Sequence, residues 1–302
     1  NNIDWKSAVL NLHKSKNIGN INSYSYRRLA FDEILSSFIV FSQIRKKIKK
    51  IKKVKKIFKT ISPQMFHDKL GFRLTTDQLK SLKEINSDLS SKTKMFRILQ
   101  GDVGSGKTIV ALISALNVIN SGYQVAFMAP TEILARQHYL LAEKIFSSNI
   151  NKSLITSKTD AKEKKIIAEN LKKNFTQIVF GTHSLFQKKI IFNNLGYIII
   201  DEQHKFGVRQ RKALSDKGGD NCDVLLMSAT PIPRTLTMTI YGDMDLSIIR
   251  EKPKFRKEIK TYSKLESKID EVIMFVKKEI KSHNQIFWVC PLIDDSNKVD
   301  HI

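Results

Sequence analysis

Between about residue 64 and residue 250, short continuous apolar runs alternate with helical segments. The runs are Arg97–Gln100, Gln124–Ala129, Gln177–Gly181, Tyr197–Asp201 and Val224–Ser228. A strand with one wet face alternates apolar and polar residues. A continuous run instead predicts a strand covered on both faces, as in a parallel sheet sandwiched by helices. Strand–helix alternation of this kind predicts a doubly wound α/β domain, with its chemistry at the carboxyl ends of the strands.

The residues before that domain carry a different pattern. Trp5–Leu12 makes a short amphipathic turn or two, and Tyr26–Leu35 opens a longer helix with apolar residues at helical spacing. That helix is expected to run on through Ile39, Val40 and Phe41 into Arg45–Ile57. There an apolar residue recurs at every third position and basic residues fill the rest. The result is a narrow apolar stripe on a strongly basic helix, suited either to lie along a phosphate backbone or to face solvent. Ser62-Pro63 ends it. Near the other end, Ile286–Leu292 predicts one more strand. Three segments are therefore expected: 1–61, helical; 62–250, the α/β domain; and 251–302, a connector into the start of a second domain.

The stretch that gives the domain a chemistry is Gly101-Asp102-Val103-Gly104-Ser105-Gly106-Lys107-Thr108, which fits the phosphate-loop pattern G-x-x-x-x-G-K-[ST]. Its context is right on both sides: Phe96–Gln100 enters as a strand, and Ile109–Leu116 leaves as a helix. Glycines let backbone N–H groups curl inward, and the helix start adds the positive end of its dipole. Lys107 is expected to reach the β- and γ-phosphates, and the Thr108 hydroxyl to take a place on Mg²⁺. After Ile198-Ile199-Ile200 come Asp201-Glu202-Gln203-His204. An acid at a strand end can hold the nucleotide's Mg²⁺, the role expected of Asp201, and a second can polarise the attacking water, the role expected of Glu202. Three further strand ends, beginning Ala129-Pro130-Thr131, Gly181-Thr182-His183-Ser184 and Ser228-Ala229-Thr230, offer hydroxyls and amides that can hold a backbone phosphate. Thr131 and Ser184 serve equally well as helix caps.

Composition adds a partner. Lys+Arg number 52 against Asp+Glu 29, a formal charge of +23, which suits a polyanion such as nucleic acid. Abundant lysine, isoleucine and asparagine also fit drift in an A/T-rich genome. Cys222 and Cys290 lie in no metal-ligand spacing and point to buried thiols in a reducing compartment. No apolar run reaches membrane-spanning length and no leader-type apolar core opens the chain, so a cytoplasmic setting is expected. Starting at Asn1 without methionine, the chain reads as part of something longer.

Taken together the motifs resemble superfamily 2 helicases, most closely the RecG family of fork-remodelling DNA helicases. The resemblance rests on GDVGSGKT (101–108), APTEILARQH (129–138), GTHSLFQ (181–187), DEQHKFGVRQR (201–211), MSATPIPRTL (227–236), YRRLAFDEIL (26–35) and FRLTTDQ (72–78). Ser105 in the loop and Gln203 after the acids separate it from the related transcription-repair coupling factors. The resemblance implies a RecA-like lobe preceded by a basic linker helix. It also implies ATP and Mg²⁺ as cofactors, and branched DNA (replication forks, Holliday junctions) as the partner of a monomer. Gln78 would contact adenine. Gln203, His204, Ser228, Ala229 and Thr230 would couple nucleotide state to DNA, which Thr131, Arg136, Gln137, Thr182, His183 and Arg234 would touch. Two departures are Lys252–Lys257, where the family has a Pro-Gly-Arg linker, and Arg136, where an acid is usual. The family's arginine fingers fall beyond Ile302. Two outcomes are thus expected of the 302 residues: a working helicase if they are a fragment, or a remnant that binds nucleotide and DNA but hydrolyses ATP barely above background.

Overall fold

The computed structural model describes residues 3–14, 21–50, 52–58, 71–187, 189–202, 218–230, 244–251 and 260–289. The chain divides into two compact units, 1–254 and 255–302.

In the first unit, α1 (Trp5–Lys14) and α2 (Tyr24–Lys50) precede α3 (Thr76–Leu89), β1 (Phe96–Gly101), α4 (Lys107–Asn120), β2 (Gln124–Met128) and α5 (Glu132–Ile145). Then follow β3 (Lys152–Ile155), α6 (Ala161–Lys172), β4 (Ile178–Gly181), β5 (Leu195–Ile200), β6 (Asp223–Ser228) and β7 (Asp245–Ile249). The strands form one seven-stranded sheet in the order β3-β4-β2-β5-β6-β1-β7, parallel at every pairing. The doubly wound reading holds, and the pleat shows why its strands carry continuous apolar runs. Leu99, Phe127, Phe180, Tyr197, Ile199 and Leu225 point to one face, against α3, α4 and α5. Ile98, Ala126, Met128, Val179, Ile198 and Leu226 point to the other, against α6. Buried on both sides, these strand positions are apolar except where a polar side chain is paired inside the fold, as Arg97 is with Glu84 and Asp88.

Two strands at the sheet edges, β3 and β7, are not foreshadowed by the apolar runs. Each is only partly buried, and an edge strand needs less apolar sequence than a central one.

The basic segment departs further from expectation. Instead of remaining helical to Ile57, α2 stops at Lys50, and residues 52–58 run without helix along the turn that follows α3. Lys52 bridges Thr93 in antiparallel fashion, while the N–H groups of Lys53 and Lys56 donate to Lys92 O (2.8 Å) and Leu89 O (3.4 Å). The Lys53 ammonium lies 2.7 and 2.6 Å from the two carboxylate oxygens of Asp223. Lys56 donates to the same carboxylate at 2.6 Å and to Asn221 O at 2.9 Å. Met95 N–H completes the cage at 2.7 Å from Asp223 Oδ1. All three ionic side chains are fully buried. Helix propensity is worth tenths of a kcal/mol per residue. A buried carboxylate left without a cation would cost several kcal/mol, so tertiary pairing overrides the local pattern. Lys53 is a structural ion here and not a surface contact for phosphates. Burial pulls its ammonium below the usual lysine range, and Asp223 partly restores it. The side chains of Arg45–Lys50 lie outside the described residues.

The second unit contains α7 (Ile269–Lys281). Residues 284–289 beyond it have no regular structure. The strand expected at Ile286–Leu292 is not formed over its described part, and Phe287 and Val289 are 88% and 87% exposed. An isolated strand leaves its backbone groups without partners, and among the described residues of this unit no other strand is present. The 252–257 connector and Cys290 lie outside the described residues.

Candidate functional site

The chemistry gathers where β1, β5 and β6 end. Gly104 (φ 77°) and Gly106 (φ 87°) both take left-handed backbone, the conformation that lets a glycine loop curl around a phosphate. Gly106 is the residue before α4, and no side chain caps that helix. Ile109 N–H donates to Gly106 O at 3.1 Å, and the N–H groups of Lys107 and Thr108 before it suit an anionic ligand. The cradle admits no side chain at two points. A Cβ at Gly101 would lie 2.5 Å from Ser105 Oγ, and one at Gly106 would lie 2.3 Å from Gln78 Nε2. Among the described residues, Ser105 Oγ is buried without a hydrogen-bond partner. Lys107 Nζ folds back onto Gly101 O (2.7 Å) and Asp102 O (3.0 Å). Burial lowers its pKa, and the nearby charges of Asp201, Glu202 and Asp102 oppose that shift. Carbonyl oxygens are weak partners for an ammonium, so a phosphate would displace them readily.

Gln78 lies directly beneath the loop, against Ser105 and Gly106. It is 1% exposed, and its amide is used at both ends inside the protein. Oε1 accepts from Thr75 N–H at 2.9 Å, and Nε2 donates to Ser105 O at 2.7 Å. With Thr75 it forms the capping box that starts α3. In this structure Gln78 braces the phosphate loop from the start of α3.

Asp201 and Glu202 follow β5, one strand away from the β6 end and two from the loop. Asp201 is 7% exposed. Its Oδ1 accepts from Glu202 N–H at 3.0 Å, and Oδ2 lies 2.8 Å from His138 Nε2. Glu202 has φ 48°, a left-handed conformation that non-glycine residues adopt rarely and that is concentrated at functional sites. Between acids and loop, Ser228 Oγ and Thr230 Oγ1 share a 2.9 Å hydrogen bond. Gln100 Nε2 reaches Thr230 O at 3.1 Å, tying the end of β6 to the strand that carries the loop.

A groove of about 530 Å³ opens where β2 and β4 end, lined among others by Thr131, Glu132, Ser157, Lys164, Thr182 and His183. Thr131 caps α5, accepting from Leu134 N–H at 3.3 Å. Arg136 and Gln137 are exposed on that helix, His183 is exposed, and Thr182 is largely buried. Glu132 is the groove's acid. The Ser157 hydroxyl holds its carboxyl below the usual range, helped by Ser157 N–H at 2.9 Å. Gln203, His204 and Arg234 lie outside the described residues.

The sequence pattern assigns no role to His138. It sits on the buried stripe Ala135, His138, Ala142, Ile145 of α5. An imidazole on an otherwise apolar stripe is itself the signal that a buried polar partner is near.

The profile of the DEAD/DEAH box helicase family matches residues 75–239. The chain is 44% identical over 304 residues to the ATP-dependent DNA helicase RecG of Aquifex aeolicus, an alignment covering 98% of this chain and 38% of the relative. It is 43% identical over 276 residues to the same-named protein of Bacillus subtilis, covering 91% of this chain and 40% of that one. Among solved structures, RecG bound to a three-way DNA junction superposes with a TM-score of 0.80 at 38% identity, covering 95% of this chain and 39% of the other. The DEAD-box helicase Mss116 superposes at 0.54 with 20% identity, a likeness of fold. The chain thus spans 38–40% of the length of these curated relatives.

Proposed function

This chain belongs to the DEAD/DEAH box helicase family, as a RecG-type member, and from that premise we propose that it forms the nucleotide-binding motor lobe of an ATP-driven enzyme acting on branched duplex DNA. The substrates are replication forks and Holliday junctions, and the setting is a cytoplasmic monomer. Among the described residues no helix is long and apolar enough to cross a membrane.

The observation that carries this reading is the glycine cradle with Lys107 resting on displaceable carbonyls, in the field of Asp201 and Glu202. In the proposed cycle Lys107 binds the β- and γ-phosphates and the amides at the start of α4 bind the remaining oxygens. Mg²⁺ fits the donor set: the Thr108 hydroxyl and the Asp201 carboxylate are hard oxygen ligands. Among the described residues no group of three or more acidic, histidine or cysteine side chains could hold a metal unaided, so the ion would arrive with the phosphates. When bound it would neutralise charge developing on them. Glu202 orients and polarises the attacking water. Ser228, Ala229 and Thr230, tied to Gln100, sense the γ-phosphate. Thr131, Arg136, Gln137, Thr182 and His183 hold DNA phosphates without reading sequence.

Titrating a fluorescent ATP analogue in the presence of Mg²⁺ tests the site. Wild type should bind, and Lys107→Ala should bind on the order of a hundredfold more weakly. Equal affinity in both would place the nucleotide elsewhere.

A further inference from the structure

The Asp201 carboxylate is held from two directions, and the second hold comes from an element that does not belong to the phosphate site. Glu202 N–H, on Asp201's own turn, takes Oδ1 at 3.0 Å. His138 Nε2, on α5, takes Oδ2 at 2.8 Å. Both residues are buried, at 7% exposure each. The imidazole is fixed in turn by the Phe127 ring of β2, with centroids 4.8 Å apart and planes at 44°. A carboxylate offers about four lone-pair directions. Among the described residues two are occupied, by His138 and by Glu202 N–H, and these two holds set the plane in which the carboxylate lies.

The neighbours of His138 give this contact its meaning. Arg136 and Gln137 stand immediately before it and are exposed. Successive helical residues are turned by about 100°, so one turn of α5 presents two polar side chains outward and one inward to Asp201. The helix is capped by Thr131, on the rim of the groove after β2.

We propose that His138 is a positioning residue. It orients the Asp201 carboxylate for the metal–phosphate ligand and makes α5 a rigid link between the groove and the nucleotide site. The assignment rests on the nucleotide-site reading proposed for Lys107 and Asp201. A polyanion that pulls on Arg136 and Gln137 moves the same turn that holds Asp201. By linkage, Mg·nucleotide must then act back on DNA affinity by the same factor.

Two substitutions separate hydrogen bond from packing. His138→Phe keeps a ring against Phe127 and loses the nitrogen. His138→Gln loses the ring and keeps an N–H donor at a similar reach. The measurement is the Mg²⁺ concentration giving half-maximal binding of a fluorescent ATP analogue, with binding in EDTA as reference. Removing a group that orients a metal ligand typically costs 10–100-fold in metal affinity. His138→Phe should therefore raise the Mg²⁺ midpoint roughly tenfold while leaving EDTA binding unchanged, and His138→Gln should stay near wild type. His138→Ala stands in if the Phe variant does not fold. Adding duplex DNA should lower the midpoint in wild type and in the Gln variant but not in the Phe variant. The reverse order, or midpoints unchanged in every variant, overturns the assignment and leaves His138 as core packing. Wild type that binds nucleotide no more tightly than Lys107→Ala would instead sink the nucleotide-site reading.

Discussion

The two ends of the central sheet each bury lysines, and they use them in opposite ways. At the amino end, Lys53 and Lys56 close on Asp223, a carboxylate covalently fixed in β6 and fully enclosed. Met95 N–H, Asn221 O and Asp88 O fill the remaining directions. Among the described residues the cluster is satisfied from within the fold. At the carboxyl end, the Lys107 ammonium rests on two main-chain carbonyls. The acids nearby act on it through their field. Burial depresses both Lys53 and Lys107, so burial alone does not separate structure from chemistry. Saturation of the partner does: a cation whose acceptors are all built in holds a fold together, and one resting on weak acceptors is ready for an anion.

The strongest way to break that contrast is to remove Asp223. Asp223→Ala leaves two ammonium groups buried without a counter-charge and should cost about 3–5 kcal/mol, read as a fall in the urea midpoint. The triple change Asp223→Leu, Lys53→Met, Lys56→Met removes the whole cluster and should recover most of that loss, since apolar replacement of a buried ion group is often close to neutral. Lys107→Ala should do the reverse of Asp223→Ala. It should lower nucleotide affinity on the order of a hundredfold, about 2.8 kcal/mol, while changing stability by less than about 1 kcal/mol, because site residues are held for function at some cost to stability.

The contrast sharpens with DNA. Changing Lys46, Lys49 and Lys50 to glutamine should flatten the salt dependence of duplex binding by roughly one unit of slope for each phosphate no longer neutralised. Lys53→Gln should leave the slope alone and lower the thermal midpoint instead. A slope that responds to Lys53 would mean the cluster opens in solution. The smallest effect concerns Cys222, buried beside Asp223 with its thiol pushed up to about 12 by burial. Only a thiolate attacks an alkylating reagent. Modification of Cys222, followed by peptide mapping, should therefore be undetectable in the folded protein and rapid in urea.

Much of this molecule is written in local sequence. The glycines at 104 and 106, the lysine after them and the apolar run before the loop can be read directly. The turn, the helix start and the strand follow from neighbours within a few residues. The central strands are legible because being covered on both faces favours apolar residues, the buried exceptions such as Arg97 and Asp223 being held by partners inside the fold. Residues meeting across long separations are not legible in that way. Lys53 meets Asp223 across 170 positions, Gln78 reaches Ser105 across 27, and His138 reaches Asp201 across 63. In each case a polar residue in an otherwise ordinary pattern acquired its role from the partner that folding brought to it. The lysine repeat at 45–57 looks uniformly helical and solvated. Two of its members are instead drawn out of the helical pattern because a buried carboxylate needs a cation more than a short segment needs a helix. Periodicity reports what a segment can bury against apolar surface. It carries no record of a single charge buried far along the chain, and only the folded arrangement supplies that.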